Sequence, residues 1–223
     1  MPKDTLAPGR LPGQNLRADS PVQAGHPAQG GGGEALIGPN AILQMIPVLE
    51  SAGGSRLVQK VLATAGLDRL PDGQTMIPQI DAARMHQAMR ACCPVWQADA
   101  IAQEAGTRTA DYILACRIPK PAQRVLKMLP ARWAAPILAR AIAKHAWTFA
   151  GSGQFRVLSP WRFEIRDNPI VQGERAPHTL CMWHAAVFQR LYQVLVARDV
   201  TCTERVCCAQ AGQDACVFIL TRR

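Results

Sequence analysis

Apolar residues recur along the chain with two different periods. From Pro39 to Leu114 they return every three or four positions, which is the spacing of amphipathic helices. The pattern is interrupted at Gly53-Gly54, at Gly66 and before Pro94, so four successive helices are predicted, the third of them capped by Asp81. The first half of the chain is therefore expected to be helical.

Nearer the end of the chain the period changes to two, which is typical of strands. Phe163 and Ile165 alternate with charged residues and predict one arm of a hairpin, and a further short strand is predicted before Cys181. An amphipathic helix comes next, and a last hairpin begins at Val200 and turns at Gly212. The predicted order in this part is strand, strand, helix, strand, strand.

Together these elements predict an α+β fold in which helices cover one face of a small antiparallel sheet. Residues 1–35 are predicted to be a disordered tail, because residues 1–33 contain five Pro and seven Gly and bury too little apolar surface to offset the entropy of ordering. Residues 36–223 are predicted to form one domain, helical over 36–150 and α+β over 151–223. No apolar run reaches the roughly 18 residues that cross a bilayer and no secretion leader is visible, so a cytoplasmic location is expected.

The charge of the chain is strongly basic, with a formal net value of +9. Residues 117–144 contain no Asp or Glu, and apolar residues lie between their cations. The pattern predicts two basic amphipathic helices with a break at Pro130 and a second candidate break at Pro136. The seven cations are Arg117, Lys120, Arg124, Lys127, Arg132, Arg140 and Lys144.

Two interpretations of this basic segment stay open. The helices either belong to the core and expose a solvated basic face, or they dock to an anionic membrane surface or form an anion-binding rim over a pocket. Nucleic acid is not expected as a partner, because no helix-turn-helix, zinc-finger or aromatic-basic RNA-binding motif is visible.

Eight cysteines in a chain without a visible leader favour free thiols or metal ligands over disulfides. Cys181, Cys208 and Cys216, with His184, offer the soft ligands that zinc prefers. No CxxC pair occurs, and the spacing matches no standard zinc module. The alternative is that these cysteines are small buried hydrophobic residues, which the position of Cys208 on an apolar strand face favours.

Glu204 has the same strand parity as Val200 and Cys202, so an unbroken strand would bury its carboxylate. A buried carboxylate is costly without a partner and often marks a functional site. A β-bulge near Thr203 would instead turn this side chain outward.

One short motif stands out in the last hairpin. It consists of Glu204, Cys207, Cys208, Gly212, Cys216 and Phe218. Placed after a helix that begins at Cys181, this motif resembles the small 4-vinyl reductase domain family. The similarity extends over residues 36–223, and the whole chain resembles the bacteriochlorophyll-biosynthesis members of that family from purple photosynthetic bacteria.

The resemblance implies a fold akin to that of TRAPP vesicle-tethering subunits, with a ligand pocket between helices and sheet, and metal binding through such cysteines. It also implies a role in photosynthetic pigment synthesis, at the reduction of the 8-vinyl group (position 4 in older numbering) of protochlorophyllide. A Mg-tetrapyrrole would then be the ligand.

A tetrapyrrole site needs flat apolar walls, cations for carboxylate groups and a His for the magnesium. Two groups of residues meet that need, and ordinary packing is the alternative for each. The first, with its cations, is Arg124, Lys127, Arg132, Trp133, His145 and Trp147. The second is Trp161, Phe163, Trp183 and His184.

Neither a dinucleotide-binding GxGxxG unit, nor a P-loop, nor an iron–sulfur spacing occurs, and vinyl reduction needs an electron source that side chains do not supply. The first hypothesis is therefore an accessory protein that binds the intermediate and passes it to other pathway enzymes. The second is the vinyl reductase itself with an external donor, in which Glu204 or a thiol gives the proton. The third is a metal- or redox-responsive ligand sensor. A homodimer and peripheral contact with the photosynthetic intracytoplasmic membrane are candidate associations.

Overall fold

The fold is described by a computed structural model that covers residues 34–222. The predicted disordered tail, residues 1–35, falls almost entirely outside that range. Eight α-helices occur in the described part of the chain. They are α1 Asn40–Leu43, α2 Ile46–Ala65, α3 Gln79–Cys92, α4 Val95–Cys116, α5 Lys120–Met128, α6 Ala131–Lys144, α7 Trp147–Ala150 and α8 Met182–Leu195.

Six strands accompany the helices and form two antiparallel sheets. They are β1 Leu36–Ile37, β2 Ile77–Pro78, β3 Gln154–Ser159, β4 Arg162–Arg166, β5 Val200–Val206 and β6 Ala215–Arg222. The small sheet pairs β1 with β2, which the sequence pattern did not predict, and the larger sheet has the order β3-β4-β6-β5. The predicted order of hairpin, helix and hairpin is thus confirmed for the second part of the chain.

Glycine and proline set the helix ends largely as predicted. Gly53 and Gly54 interrupt α2 with non-helical backbone angles, and Gly66 ends it in the left-handed conformation at φ 67°. Asp81 does not cap α3: it lies in the first turn, and Pro78 is the residue that precedes the helix. Pro136 lies inside α6 without ending it, so the second candidate break is wrong.

The helices pack on the larger sheet through α8 and α6. Helix α8 lies against β5 and against α4, and α6 lies against β3. Gly106 of α4 faces the backbone of Trp183 so closely that an added methyl group would collide with its carbonyl oxygen. This close contact fixes α4 on α8, and the α+β arrangement predicted from the sequence is confirmed.

The short strand predicted before Cys181 is wrong. A 3-10 helix occupies Pro169–Val171, and the chain then runs irregularly to Leu180. Pro169 and Pro177 have no N–H to give to a ladder, and Arg90 instead holds the segment by bonding the Glu174 carboxylate and the Ile170 carbonyl.

Strand β5 contains a β-bulge, but not at the residue expected. Glu204 pairs with Phe218 and Val206 with Val217, so Arg205 is the extra residue. Because the bulge comes after Glu204, its side chain stays inside, with 5% of its surface exposed. The prediction that a bulge near Thr203 would turn Glu204 outward is wrong.

Among the helices of residues 34–222, not one combines the length and the apolar character that a bilayer crossing requires.

Candidate functional site

Four buried side chains converge where α8 begins beside the last hairpin. The ligand atoms of Cys181, Glu204, Cys207 and Cys216 all lie within 4.8 Å of one another. The three cysteines have no exposed surface. We call these four residues the thiol cluster.

Three separate backbone features bring the thiol cluster together. Cys181 is the residue that precedes the first turn of α8, and Cys216 is the second residue of β6. Glu204 and Cys207 stand on either side of the bulged Arg205. Without the bulge, strict alternation would place Cys207 opposite Glu204 in direction, so the extra residue is what turns both side chains inward.

The spacing of the three sulfurs is that of a tetrahedral metal site. The Sγ–Sγ distances are 3.5 Å for Cys181–Cys216, 3.9 Å for Cys181–Cys207 and 3.8 Å for Cys207–Cys216. A zinc–sulfur bond of about 2.3 Å in tetrahedral geometry separates two sulfurs by about 3.8 Å. The three thiols therefore already form one face of a zinc coordination tetrahedron.

Glu204 completes the set with an oxygen that has no other partner. Its Oε2 accepts a hydrogen bond of 2.7 Å from the backbone N–H of Cys181, while Oε1 is buried without a partner among the described residues. Burial, and next the neighbouring Cys207, raise the pKa of the Glu204 carboxyl to about 8. A bound cation would supply the missing partner and stabilise the charged form.

Hydrogen-bond donors surround the sulfurs. The buried amide of Asn168 donates from Nδ2 to Cys181 Sγ at 3.3 Å and to Cys216 Sγ at 3.5 Å. The backbone N–H of Cys208 also donates to Cys216 Sγ at 3.5 Å. Such contacts stabilise thiolates and orient metal ligands.

The thiol pKa values diverge within the cluster. Burial raises the pKa of the Cys181 thiol well above its usual value. Hydrogen bonds from Cys181, Cys208 and Cys216 lower the pKa of Cys207. Cys207 is thus the thiol that ionises first and the first anionic ligand available to a metal ion.

The residues present fit zinc as a structural ion. Three thiolates and one carboxylate are a four-ligand set of the kind zinc takes. All four are buried, so the set is closed and leaves no position for water or substrate. A closed site ties elements together, whereas catalytic zinc sites keep an open position.

The structure brings together two of the three predicted metal ligands, Cys181 and Cys216. Cys208 is half-buried, and its sulfur lies 3.3 Å from that of Cys216, outside the four-residue set. Cys207 takes the place expected for Cys208, because the bulge shifts the parity of the strand by one residue. His184 is not a member of the cluster, and its Nε2 lies 3.3 Å from the Phe149 carbonyl oxygen.

Sequence reasoning missed Cys207 and Asn168. The adjacent pair Cys207-Cys208 signalled that one of two neighbours faces inward, but alternation alone selected the wrong one. Asn168 carried no metal-ligand signal, since it lies in a turn far from the other members along the chain.

The first group of predicted tetrapyrrole ligands lies at the surface of α5, α6 and the residues just after α6. Trp133 is 58% exposed and Trp147 is 41% exposed. The remaining members are all exposed: Arg124, Lys127, Arg132 and His145.

The second group lies mostly in the core. Phe163, Trp183 and His184 are buried, and Trp161 is half-buried. Phe163 packs edge-on against Phe188 at a centroid distance of 5.1 Å, and His184 contacts Trp183 at 4.8 Å. Aromatic side chains fill the space between α8 and the sheet, which is where the resemblance implied a pocket.

Two histidines within this core are neutral. Burial is the main cause that lowers the pKa of His184 to about 4 and that of His86 well below its usual value. The Nε2 atom of His86 lies 3.1 Å from the Ala41 carbonyl oxygen. Each ring keeps a buried Nδ1 without a partner among the described residues.

Two surface clefts occur away from the predicted ligand residues. One, of about 540 Å³, is lined by residues 175–177 and 209–211. The other, of about 480 Å³, lies between α2 and α4 and includes Trp96, Glu104 and Arg108.

Comparison with known proteins identifies the family. The chain is 50% identical over 194 residues to the bacteriochlorophyll synthase 23 kDa chain of Cereibacter sphaeroides, covering 85% of this chain and 93% of that one. It is 43% identical over 192 residues to the protein of the same name from Rhodobacter capsulatus, covering 84% and 87%. The chain belongs to the bacteriochlorophyll synthase 23 kDa chain family.

The domain prediction agrees with this family. The family model of the 4-vinyl reductase domain matches residues 161–222, which include the thiol cluster and the strands that hold it. The resemblance to the bacteriochlorophyll-biosynthesis protein BchJ, of the 4-vinyl reductase domain family, is thereby confirmed.

Solved structures with a similar fold are H-NOX proteins. One is an Fe(II) unliganded H-NOX mutant from K. algicida, with a TM-score of 0.51, 9% identity, and coverage of 84% of this chain and 97% of that chain. Another is a Cs H-NOX mutant containing 4-cyano-L-phenylalanine, with a TM-score of 0.50, 9% identity and the same coverage. These matches show the fold alone, and they do not test the implied likeness to TRAPP subunits.

Proposed function

We propose that this chain serves bacteriochlorophyll biosynthesis as an accessory protein that binds a tetrapyrrole intermediate at the vinyl-reduction stage and passes it to other pathway enzymes. The names of its two relatives support the pathway. The observation that carries the accessory role is the closed thiol cluster. Among the described residues, the one group that could hold a metal is buried and fully ligated by the protein, which favours a binding domain over a redox catalyst.

Cys181, Glu204, Cys207 and Cys216 would hold one zinc ion. When bound, zinc supplies cross-linking of the chain rather than reaction chemistry. The protein side of the arrangement ties the first turn of α8 to both strands of the last hairpin. It thereby holds α8 in place against the sheet, with Trp183 and Phe188 in the core beneath the surface helices.

The exposed group of aromatic and basic residues is the better candidate for the pigment itself. Trp133 and Trp147 offer flat apolar faces for stacking, and Arg124, Lys127 and Arg132 offer cations for a carboxylate. His145 is exposed and would reach the magnesium. The buried group, Trp161, Phe163, Trp183 and His184, would support this surface from beneath without touching the ligand.

An absorbance titration with divinyl protochlorophyllide tests the binding site. Stoichiometric binding with a spectral shift is expected, and Trp147→Ala and His145→Ala should each weaken it about tenfold, because stacking on one aromatic face contributes on the order of 1 kcal/mol or more. Trp96→Ala is the matched control, since Trp96 is 73% exposed on a different helix.

Two results would overturn this site. If no spectral shift occurs with the unmodified chain, the chain does not bind this pigment. If Trp96→Ala removes binding and Trp147→Ala does not, the ligand belongs to the cleft between α2 and α4.

The second candidate is the vinyl reductase itself, with an external electron donor. One observation favours it: Glu204, with a pKa of about 8, is protonated at neutral pH in the metal-free chain and would be able to donate a proton. Its burial speaks against this role, because a pigment ring has no access to the carboxyl group. Turnover of the pigment by the purified chain distinguishes the two functions.

Three associations complete the proposal. Transfer of the intermediate requires contact with pathway enzymes, and a homodimer is a candidate assembly. Peripheral contact with the photosynthetic membrane would bring the chain to where its pigment products are used. The third function, a metal- or redox-responsive sensor, would instead require the thiol cluster to release its metal within the physiological range of conditions.

A further inference from the structure

Helices α5 and α6 expose apolar and basic residues on the same surface. In α5, the exposed side carries Arg124, Val125 and Met128 at helical spacing, while Gln123 and Leu126 are buried. Val125 is 56% exposed and Met128 is 84% exposed. This helix therefore shows solvent a large part of its apolar surface.

Helix α6 repeats the arrangement. Trp133, Ile137, Arg140 and Lys144 succeed one another along its exposed side, and its small and aliphatic residues face inward. Trp133 is 58% exposed and Ile137 is 46% exposed. Both helices pack against α8, so their opposite sides point away from the body of the domain. We call the exposed residues of α5 and α6 the basic face.

The exposed apolar residues are concentrated here. Eleven large apolar side chains are exposed in the described part of the chain, and five of them lie between Val125 and Trp147. Exposed apolar patches bordered by charge mark interaction surfaces. A face that only needed to be solvated would not require them.

The charges of the basic face are not neutralised within the domain. Residues 117–144 contain no Asp or Glu, and none of their seven cations forms an ion pair within residues 34–222. The positive field is therefore available to an external anionic partner.

We propose that the basic face docks on the surface of an anionic lipid bilayer. Val125, Met128, Trp133 and Ile137 would enter the boundary between headgroups and acyl chains, and the cations around them would bind lipid phosphates. Such a surface is recognised by apolar and basic residues together. Nucleic acid or an acidic protein would use the cations and leave the four apolar side chains without a role.

This inference deepens the proposed function and rests on it for its purpose. A Mg-tetrapyrrole has a large apolar ring that dissolves in a bilayer better than in water. Docking would bring Trp147 and His145, at the end of α6, to the membrane surface from which such a ligand is collected or to which it is returned.

Vesicle sedimentation without pigment tests the docking surface independently of pigment binding. The full chain should sediment with vesicles of phosphatidylcholine and phosphatidylglycerol, not with phosphatidylcholine alone, and added salt should release it. Met128→Glu and Val125→Glu should each lower the partition coefficient about tenfold, since each puts a charge where an apolar side chain would leave water. Arg140→Gln should lower it about fivefold.

Matched controls make the result specific. Val95→Glu changes a valine with the same exposed fraction, 56%, on α4, and Arg198→Gln changes an exposed arginine after α8. Both should leave vesicle binding within about twofold of the unmodified chain, as expected for surface changes outside the interface.

Several outcomes would overturn the docking proposal. Absence of binding to the anionic vesicles would do so, as would an equal loss in Val95→Glu and Val125→Glu. If Arg140→Gln weakens binding while Val125→Glu and Met128→Glu leave it unchanged, the face is a purely electrostatic site for another polyanion. Pigment binding that persists in Met128→Glu would leave the proposed function intact in each case.

Discussion

The thiol cluster and the basic face are opposite solutions to the placement of functional groups. In the thiol cluster, charged and polar atoms are withdrawn from water and satisfied by one another. In the basic face, apolar side chains are left in water beside unpaired cations. One region is complete within the chain except for an ion, and the other is complete only with a partner.

This difference separates stability from recognition. Withdrawing a carboxyl and three thiols from water is costly unless they are coordinated, so disturbing the thiol cluster should unfold the last hairpin. Leaving Met128 or Val125 exposed contributes little to folding, so changing them should alter binding alone. We therefore expect the effects of substitution on stability to decrease from the thiol cluster to the basic face.

The largest effect is expected from Cys216→Ser. Loss of one thiolate should lower the zinc content from one ion per chain to almost none and reduce the free energy of unfolding by about 4 kcal/mol. Metal analysis and urea denaturation measure the two quantities. Cys116→Ser, at an exposed cysteine outside the cluster, should change neither, and an equal loss in both variants would contradict a metal role.

Acid should destabilise the fold through its buried histidines. His184 has a folded pKa of about 4, below the usual value of 6.5, so only the unfolded chain binds this proton as the pH falls from 6.5 to 4. The stability that the neutral ring contributes is present above pH 6.5 and is lost toward pH 4, by about 3 kcal/mol for this one group.

Denaturation as a function of pH checks this linkage. In His184→Leu the slope of the unfolding free energy between pH 6.5 and 4 should decrease by about one proton, whereas the exposed His145→Gln should keep the full slope. An unchanged slope in His184→Leu would show that the ring titrates normally in the folded state.

Asn168→Asp should weaken the metal centre without removing a ligand. The carboxylate keeps the shape and the bond accepted from the Ile170 N–H, but replaces the donor to two sulfurs with a negative charge. Zinc affinity should fall about 10- to 100-fold, as for other groups that orient metal ligands. Competition with a chelator measures it, and an affinity equal to that of the unmodified chain would show that the N–H···S contacts are unimportant.

The smallest effect on stability is expected on the basic face. Met128→Ala should change the free energy of unfolding by no more than about 0.5 kcal/mol. Leu126→Ala on the same helix, where Leu126 is 7% exposed, should cost about 3 kcal/mol. Similar values for the two would mean that the basic face is packed rather than exposed.

The sequence predicted the fold best where one physical signal dominated. Helical spacing with glycine and proline at the breaks located α2, α3, α4 and α8, and alternation located both arms of the last hairpin. The short β1–β2 pairing was missed, since two residues are too few to show a period. Backbone hydrogen bonding decided the segment before Cys181, where proline prevented the strand that was expected.

The candidate site was harder to predict because a single inserted residue controls it. The bulge at Arg205 reverses the parity of the residues after it, so Cys207 and not Cys208 joins Cys181 and Cys216. Hydrophobic alternation contains no term for a bulge. The ligand-binding predictions stay predictions, although exposure now separates Trp133 and Trp147 from Trp183 and Phe163.

The most direct test of the accessory role is a single-turnover measurement on the purified, zinc-loaded chain. Divinyl protochlorophyllide is bound at one equivalent, NADPH or reduced ferredoxin is added, and the pigment is then extracted and analysed. We predict that the bound pigment is recovered with both vinyl groups intact. Recovery of the monovinyl product without any other enzyme would contradict the accessory role and establish the chain as the reductase.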